Sequence, residues 1–573
     1  MSPRVLLSLA LLVATAGLSA CAKAPPAPPE AAAEAAAPDI PRPPNDTPAG
    51  QRIEADLRAL ADDAMEGRET GTPGYDRAAD LVAQRFAAIG LEPAGDDGTW
   101  FQRIPLLAAT RIADGARLAV HRGGRSIELQ YLEQYLTLPS PLHAQADLEA
   151  PAVFVGHAIH APDIGHDDFA GLDLRGRIAV AFTDAPETFD HDLRAHHSAQ
   201  HVKNRALAER GAIGVVMVFT PALAAAVPWQ QLQSTADKPG MALVDADGSV
   251  PDAQPGLQAG ALVSVTAADL LFADLDRSAA QLFEQARAGT LKGFELPGTL
   301  RLAQRTRIEP IASRNVVGGL PGSSAALAGE HVVHSAHLDH IGRGAAVDGD
   351  DIHNGALDNA LGVAIMLETA RELQPAQARP ARSSLFIALG AEEQGLLGSQ
   401  WFVHRPTVPR GSLVANINLD MPVLTAPTSD VVAIGGEHST LQAAIAQAAA
   451  DIGVALSPDP FPEQVSFVRS DHFSFVRGGI PAVYLAGGIT GTRPDQDPQR
   501  AAAWFLRNCY HRPCDQADLP IQYGDAARMA RLGARIGRIV GDAPERPAWN
   551  PDSFFGRASG TGRDAAPEAA RGN

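Results

Sequence analysis

The chain has 573 residues, of which 20% are charged and 45% hydrophobic, and a formal net charge of -19 at pH 7. That length supports two or three domains with ordinary cores. The acidic balance, with only four lysines, argues against a nucleic-acid partner, because phosphate binding needs clustered Lys and Arg. No Gly-Lys dipeptide occurs, which excludes a phosphate-binding P-loop.

Residues 1–21 have the form of a processing segment: Arg4, an apolar run from Val5 to Gly17, then Leu-Ser-Ala-Cys ending at Cys21. The run falls short of the roughly 20 apolar residues of a membrane span. The four residues ending at Cys21 resemble the lipobox of bacterial lipoproteins. That resemblance implies lipidation of Cys21, a lipid anchor to the membrane and, with Ala22 next, the outer membrane facing the periplasm; a plain secretory signal is the alternative. Residues 22–50 are almost entirely Ala, Pro and Glu, too poor in large apolar side chains to fold, and read as a tether.

Residues 51–110 begin the folded part. Ile53, Leu57, Leu60 and Ala64 repeat at helical spacing, as do Val82, Phe86 and Ile89, with the turn-rich MEGRETGTPG between. From 111 to 297 the texture changes to short strands and turns. VFVGHAIHAPDIGHDDFAGLDLRGRIAVAF followed by ALAERGAIGVVMVF resembles the protease-associated domain, a small β-rich module, and implies an insert here. His197 and His201 stand four apart within it, a possible metal pair on one helix face, but solvated surface histidines are the simpler reading. Residues 298–545 should carry the main sheet and end in a helix with Met529, Leu532, Ile536 and Ile539 on one face; the tail 546–573, rich in Pro, Gly and charge, is expected to be poorly ordered.

The chemistry concentrates between Glu330 and Met421, in SAHLDH, LDNALG, GAEEQG and NLD. Three of the clusters follow short apolar runs that read as buried strands. Side chains at the carboxyl ends of neighbouring strands in an open α/β sheet converge on one crevice. His337, Asp358, Glu392, Glu393 and Asp420 could therefore meet. Carboxylates gathered so closely repel unless a cation joins them, and a mixed imidazole and carboxylate set suits zinc.

Four motifs in this order resemble the di-zinc exopeptidases of metallopeptidase family twenty-eight. The resemblance implies an α/β fold with a mixed, mostly parallel sheet flanked by helices, and two zinc ions as cofactors. It implies that His337 and Asp420 complete one zinc site, that Glu393 and His511 complete the other, and that Asp358 bridges them. Asp339 then matches a carboxylate orienting the imidazole of His337, Glu392 the general base, and Tyr510 a donor to the tetrahedral oxyanion. Cys509 and Cys514 resemble a pair that forms a disulfide around Tyr510 and His511 in secreted relatives. Leu357 and Leu361 depart from the family, which often carries an acid and a serine there, so a drier wall is expected. Asp471 and His472, in RSDHFSF, match a segment near the family's substrate pocket. His334, His340 and His404 read as satisfied or solvated histidines, since the implied ligand set is already full.

The expected activity is release of N-terminal residues from peptide substrates. A glutamate carboxypeptidase-like activity stays open, with Arg469 the one nearby cation for a substrate carboxylate; so do a non-catalytic receptor-like role and a one-zinc glutaminyl cyclase-like role.

Overall fold

The computed structural model describes residues 40, 44–460 and 466–560. The expected signal segment with Cys21, most of the tether and the last thirteen residues of the tail lie outside these. Among the described residues no helix is long and apolar enough to cross a membrane.

Helix α1 (Pro48–Leu60) is capped by Thr47, whose side chain accepts the Gly50 N–H, and buries Ile53, Leu57 and Leu60. Helix α2 (Pro73–Ile89), capped by Thr72 and ended by left-handed Gly90, buries Val82 and Phe86. Both lie against the main core.

Two long strands come next in the architecture. Strand β1 (Phe101–Arg122) pairs antiparallel with a much later strand, running from Phe101 opposite Val316 to His121 opposite Thr299. Between them the chain forms β2 (Gln145–Phe154), β3 (Ile178–Phe182), β4 (Gly214–Val218) and β5 (Ala259–Val263), which pair in that order, all parallel. Helices α3 (His191–Ser198) and α4 (Gln200–Glu209) connect β3 to β4. Alternate residues of these strands face two separate cores, one around Phe154, Phe182 and Phe272, the other around Val153, Leu207 and Met217. The segment between β1 and β6 thus carries a run of parallel strands with its own apolar interior, continuous with the main sheet through β6. The returning strand β6 (Phe294–Leu320) and β1 run through positions 111 and 297 without a break.

The main sheet continues from β6 with β7 (His331–His337), β8 (Ser383–Leu389), β9 (Leu413–Leu419), β10 (Asp430–Ile434) and β11 (Ala482–Gly487). Their spatial order is β10-β11-β9-β7-β8-β6. The central pairs β11-β9, β9-β7 and β7-β8 are parallel, and the outer pairs β10-β11 and β8-β6 antiparallel. Every residue of β8 and β9 is buried, as strands covered on both faces require. Helix α5 (Leu361–Leu373) is buried nearly all round, and the short helices α6 (Leu397–His404) and α7 (His472–Arg477) follow it in the chain; α5 packs with α1 and α8 (Tyr523–Asp542), which buries Met529, Leu532 and Ile536.

The expectation for the tail changes for residues 546–560. Arg546 bonds Glu330 at 2.8 Å, and Phe555 is buried against His438, Phe467 and Phe473. Pro, Gly and charge hid two phenylalanines that find an apolar groove only in the folded molecule.

Candidate metal centre

Three parallel strands deliver the first residues of the centre. His337 is the last residue of β7, Asp420 follows β9, and Glu392 and Glu393 follow β8 in the turn after Gly390. Asp358 stands just before α5, and His511 lies in the loop after Asn508. These residues gather into two groups of possible metal donors, His337-Asp358-Asp420 and His340-Asp358-Glu393-His511, with the donor atoms of each group within 4.8 Å of one another. Among the described residues no others do so.

Asp358 belongs to both groups through different oxygens. Its Oδ1 lies 3.3 Å from His337 Nε2, and its Oδ2 lies 3.2 Å from His511 Nε2. His337 Nε2 is also 3.0 Å from Asp420 Oδ1, and His511 Nε2 is 3.2 Å from Glu393 Oε2. Ligands at about 2.0–2.1 Å from a tetrahedral zinc sit about 3.3 Å apart, so these spacings fit two cations sharing one carboxylate. Asp358 Oδ2 is buried without a hydrogen bond of ordinary geometry, as expected of an atom that converges with its neighbours on a common centre.

The electrostatics favour added positive charge. Burial pulls His511 down, yet the carboxylates of Glu393 and Asp358 outweigh it and push the imidazole up to about 10. Burial raises Glu393, but His511 and His340 bring it down to about 2. Asp358 is held well below the usual carboxylate range by His340, His337 and His511 against its burial. Glu392, half-buried, is raised well above its ordinary value by burial first, then by Asp420, Glu393 and Asp471, with His337 opposing.

Asp339 plays a different part from the one expected. The Nδ1 of His337 faces the backbone carbonyl of Asp339 at 3.1 Å, not its carboxylate. The carboxylate instead accepts the backbone N–H groups of Glu392 and Glu393, at 3.1 and 3.3 Å, and the hydroxyl of Thr70 at 3.1 Å. It holds the turn bearing both glutamates, in which Ala391 is left-handed with φ 58. Two residues beyond a ligand, the side chain points away while the main chain still reaches the ring.

Of the three remaining histidines, only His340 departs from the expectation, since His334 and His404 belong to neither group of possible donors. His340 is wholly buried, with Nδ1 2.8 Å from Glu393 Oε1 and 3.6 Å from Asp358 Oδ2, inside the second group. His334 stacks on Phe386 at 5.0 Å, and burial lowers it to about 3. His404 sits 3.6 Å from Asp245 of the insert.

Asp471 and His472 do not line the cavity beside the glutamates; both are 0% exposed. His472 lies between Phe467 and Tyr484, and burial raises Asp471 to about 7. The short helix α7 (His472–Arg477) turns Phe473, Ser474 and Arg477 to the cavity, with Arg469 one turn before, and leaves the two expected residues behind them.

That cavity, of about 340 Å³, is also lined by Glu392, Glu393, Gln400 and Tyr510, and by Ala199 and His201 of the insert. The insert is fastened beside it by Lys238 to Glu69 at 2.7 Å and Arg477 to Asp252 at 3.1 Å. His197 is not solvated. It is buried against Phe189 and His196, and burial lowers it to about 3. The chain is extended at Ala199, between α3 and α4, so His197 and His201 share no helix face.

Cys509 and Cys514 are joined by a disulfide, which closes the loop carrying Tyr510 and His511. The tyrosine ring lies 3.9 Å from that of His511. Leu357 and Leu361 are fully buried, a dry backing to Asp358. Two positioning residues escaped the sequence reading. Asp515, next to Cys514, accepts the N–H groups of Leu357 and Asp358 at 2.8 and 3.0 Å and so fixes the shared carboxylate's backbone. Arg68 is 0% exposed and donates to the carbonyls of Leu60, Leu338, Asn354 and Gly355. Only the acid after the cysteine motif hinted at Asp515; nothing in MEGRETG marked the arginine as buried.

Residues 315–536 match the model of Peptidase family M28. Leupeptin-inactivating enzyme 1 of Streptomyces exfoliatus is 27% identical over 208 residues, 35% of this chain and 42% of that protein. Aminopeptidase YwaD of Bacillus subtilis (strain 168) is 28% identical over 218 residues, 37% and 42% respectively. The match thus spans less than half the length of these curated relatives. The solved aminopeptidase from Aneurinibacillus sp. strain AM-1 shares the fold, with a TM-score of 0.50 at 19% identity over 88% of this chain and 96% of that one.

Proposed function

We propose, from the match of residues 315–536 to the model of Peptidase family M28, that this chain is a zinc-dependent aminopeptidase acting on short peptides. The observation that carries the reading is the divided carboxylate of Asp358, one oxygen toward His337 and the other toward His511. Two zinc ions held by His337, Asp358 and Asp420 on one side and by Asp358, Glu393 and His511 on the other would supply Lewis acidity and a water of lowered pKa.

The chain's own groups then have distinct tasks. Glu392 lines the cavity, and its carboxylate takes the proton of the attacking water and returns it to the leaving amine. Asp339 keeps Glu392 in place through the turn's N–H groups. Tyr510 offers its hydroxyl to the carbonyl oxygen as negative charge develops there. The acidic residues favour approach of a free α-amino group. The wall formed by Ala199 and His201 limits how much peptide the cavity admits, which gives the protease-associated-like insert a role in substrate length. Cys21 anchors the chain in the cell envelope under this reading.

The test is a matched pair of leucyl peptides, one with a free amino end and one acetylated, supplied to the zinc-loaded soluble chain. Cleavage of the free peptide alone, abolished by a chelator, is the expected result. Equal or better cleavage of the acetylated peptide would transfer the assignment to a carboxypeptidase. Arg469, exposed on the cavity wall, is the observation that favours that second reading.

A further inference from the structure

The structure assigns His340 as a fourth protein ligand of one of the two cations, making the pair unequal: a closed site of His340, Asp358, Glu393 and His511 beside an open one of His337, Asp358 and Asp420. This rests on the two-metal reading above. It adds a ligand that the implied family set does not contain.

The ring's position is built in. After β7 the chain turns, and the backbone N–H of His340 donates to the carbonyl of Arg68 at 3.2 Å. The ring then lies under the turn at Gly355, whose φ is 58; a Cβ there would come within 2.6 Å of His340 Cγ and Cδ2. Glycine is required by both the left-handed backbone and the ring beneath it. The side chain is 0% exposed and its Nε2 has no partner, so Nδ1 is its only engaged nitrogen. That nitrogen is 2.8 Å from Glu393 Oε1 and 3.6 Å from Asp358 Oδ2, the two carboxylates that His511 approaches through their Oε2 and Oδ2 at 3.2 Å each. Two imidazoles thus flank the same two carboxylates.

Two nitrogens and two carboxylate oxygens complete a tetrahedral zinc shell, the form of sites that hold metal firmly, whereas three protein donors leave a position for water or substrate. The consequence is an order of loading. A first zinc would be held firmly by His340, Asp358, Glu393 and His511, whereas a second, held by His337, Asp358 and Asp420, would exchange more readily and keep a position for water or substrate.

The experiment uses the whole soluble chain stripped by a chelator and given one equivalent of zinc. X-ray absorption should count two imidazoles on that zinc in the parent and one in His340→Gln, which keeps a hydrogen-bond donor toward Glu393 but cannot supply an imidazole. Equilibrium dialysis should show the first zinc bound at least 100-fold more weakly in His340→Gln, with the second changed little. Circular dichroism establishes that the variant is folded, and His340→Asn takes its place if it is not. One imidazole in the parent, or an unchanged count in the variant, overturns the assignment. A parent that binds fewer than two zinc ions at saturation would instead overturn the two-metal reading on which it rests.

Discussion

Arg68 shows how much one side chain supports at the residue scale. Burial lowers it to about 10, so it stays charged at neutral pH, among Asp515, Asp358, Asp339 and Glu393. Its four carbonyl partners belong to α1's end, the SAHLDH turn and the loop before Asp358. Arg68→Met should cost about 3–5 kcal/mol, because buried carbonyls lose charged donors and nearby carboxylates lose a cation. Urea denaturation measures it; a loss under 1 kcal/mol would contradict the clamp. Glu392→Gln should keep both metals by elemental analysis and lower kcat about 10²- to 10⁴-fold, the usual worth of a general base. Asp339→Asn should lower metal affinity or kcat roughly 10- to 100-fold, since the amide cannot serve as acceptor to both glutamate N–H groups as the carboxylate does.

At the scale of elements, the segment from Cys509 to Asp515 joins three parts of the site: Tyr510 toward the cavity, His511 toward the second metal group, and Asp515 under Asp358. A disulfide with a sequence separation of 5 contributes only about 2 kcal/mol through chain entropy. Replacing both cysteines by serine should therefore shift the urea midpoint modestly while weakening zinc retention more, as His511 and Asp515 lose their common frame. Equal retention in a dialysis series would show that the loop holds its shape without the bond. The insert acts as an element too, but β1 and β6 are common to it and the main sheet, so its deletion would expose both cores. His201→Ala is the cleaner probe, with faster cleavage of longer peptides and little change for dipeptides as the expected result.

The whole molecule carries a pH dependence from histidines buried in neutral form. His334 and His472 are both buried and, like His197, lowered to about 3 by that burial. Unfolding returns each to about 6.5. Between those values the unfolded chain binds protons that the folded one does not, so stability is complete above about pH 6.5 and falls as pH decreases toward 3. Each contributes a slope of up to about 1.4 kcal/mol per pH unit. Unfolding free energy measured from pH 6.5 to 5 should fall less steeply in His334→Gln than in the parent by about that amount. An identical slope would mean that His334 takes up its proton in the folded state.

Local signals in the chain were enough for the amphipathic faces of α1, α2 and α8, the buried runs of β7, β8 and β9, and the acids and histidine at their ends. Parallel neighbouring strands place their carboxyl ends side by side, so His337, Asp420 and Glu393 were legible as neighbours from the chain alone. Where the side chains of Asp339, His340, Asp471 and His472 point came from long-range packing, because adjacent residues in a turn differ in direction and no periodicity constrains them. That packing also decided that Arg68 and Phe555 are inside, and that β1 and β6 tie the insert to the main sheet. Those depend on contacts between residues far apart in the chain, and a residue's type alone does not say which distant partner will pair with it.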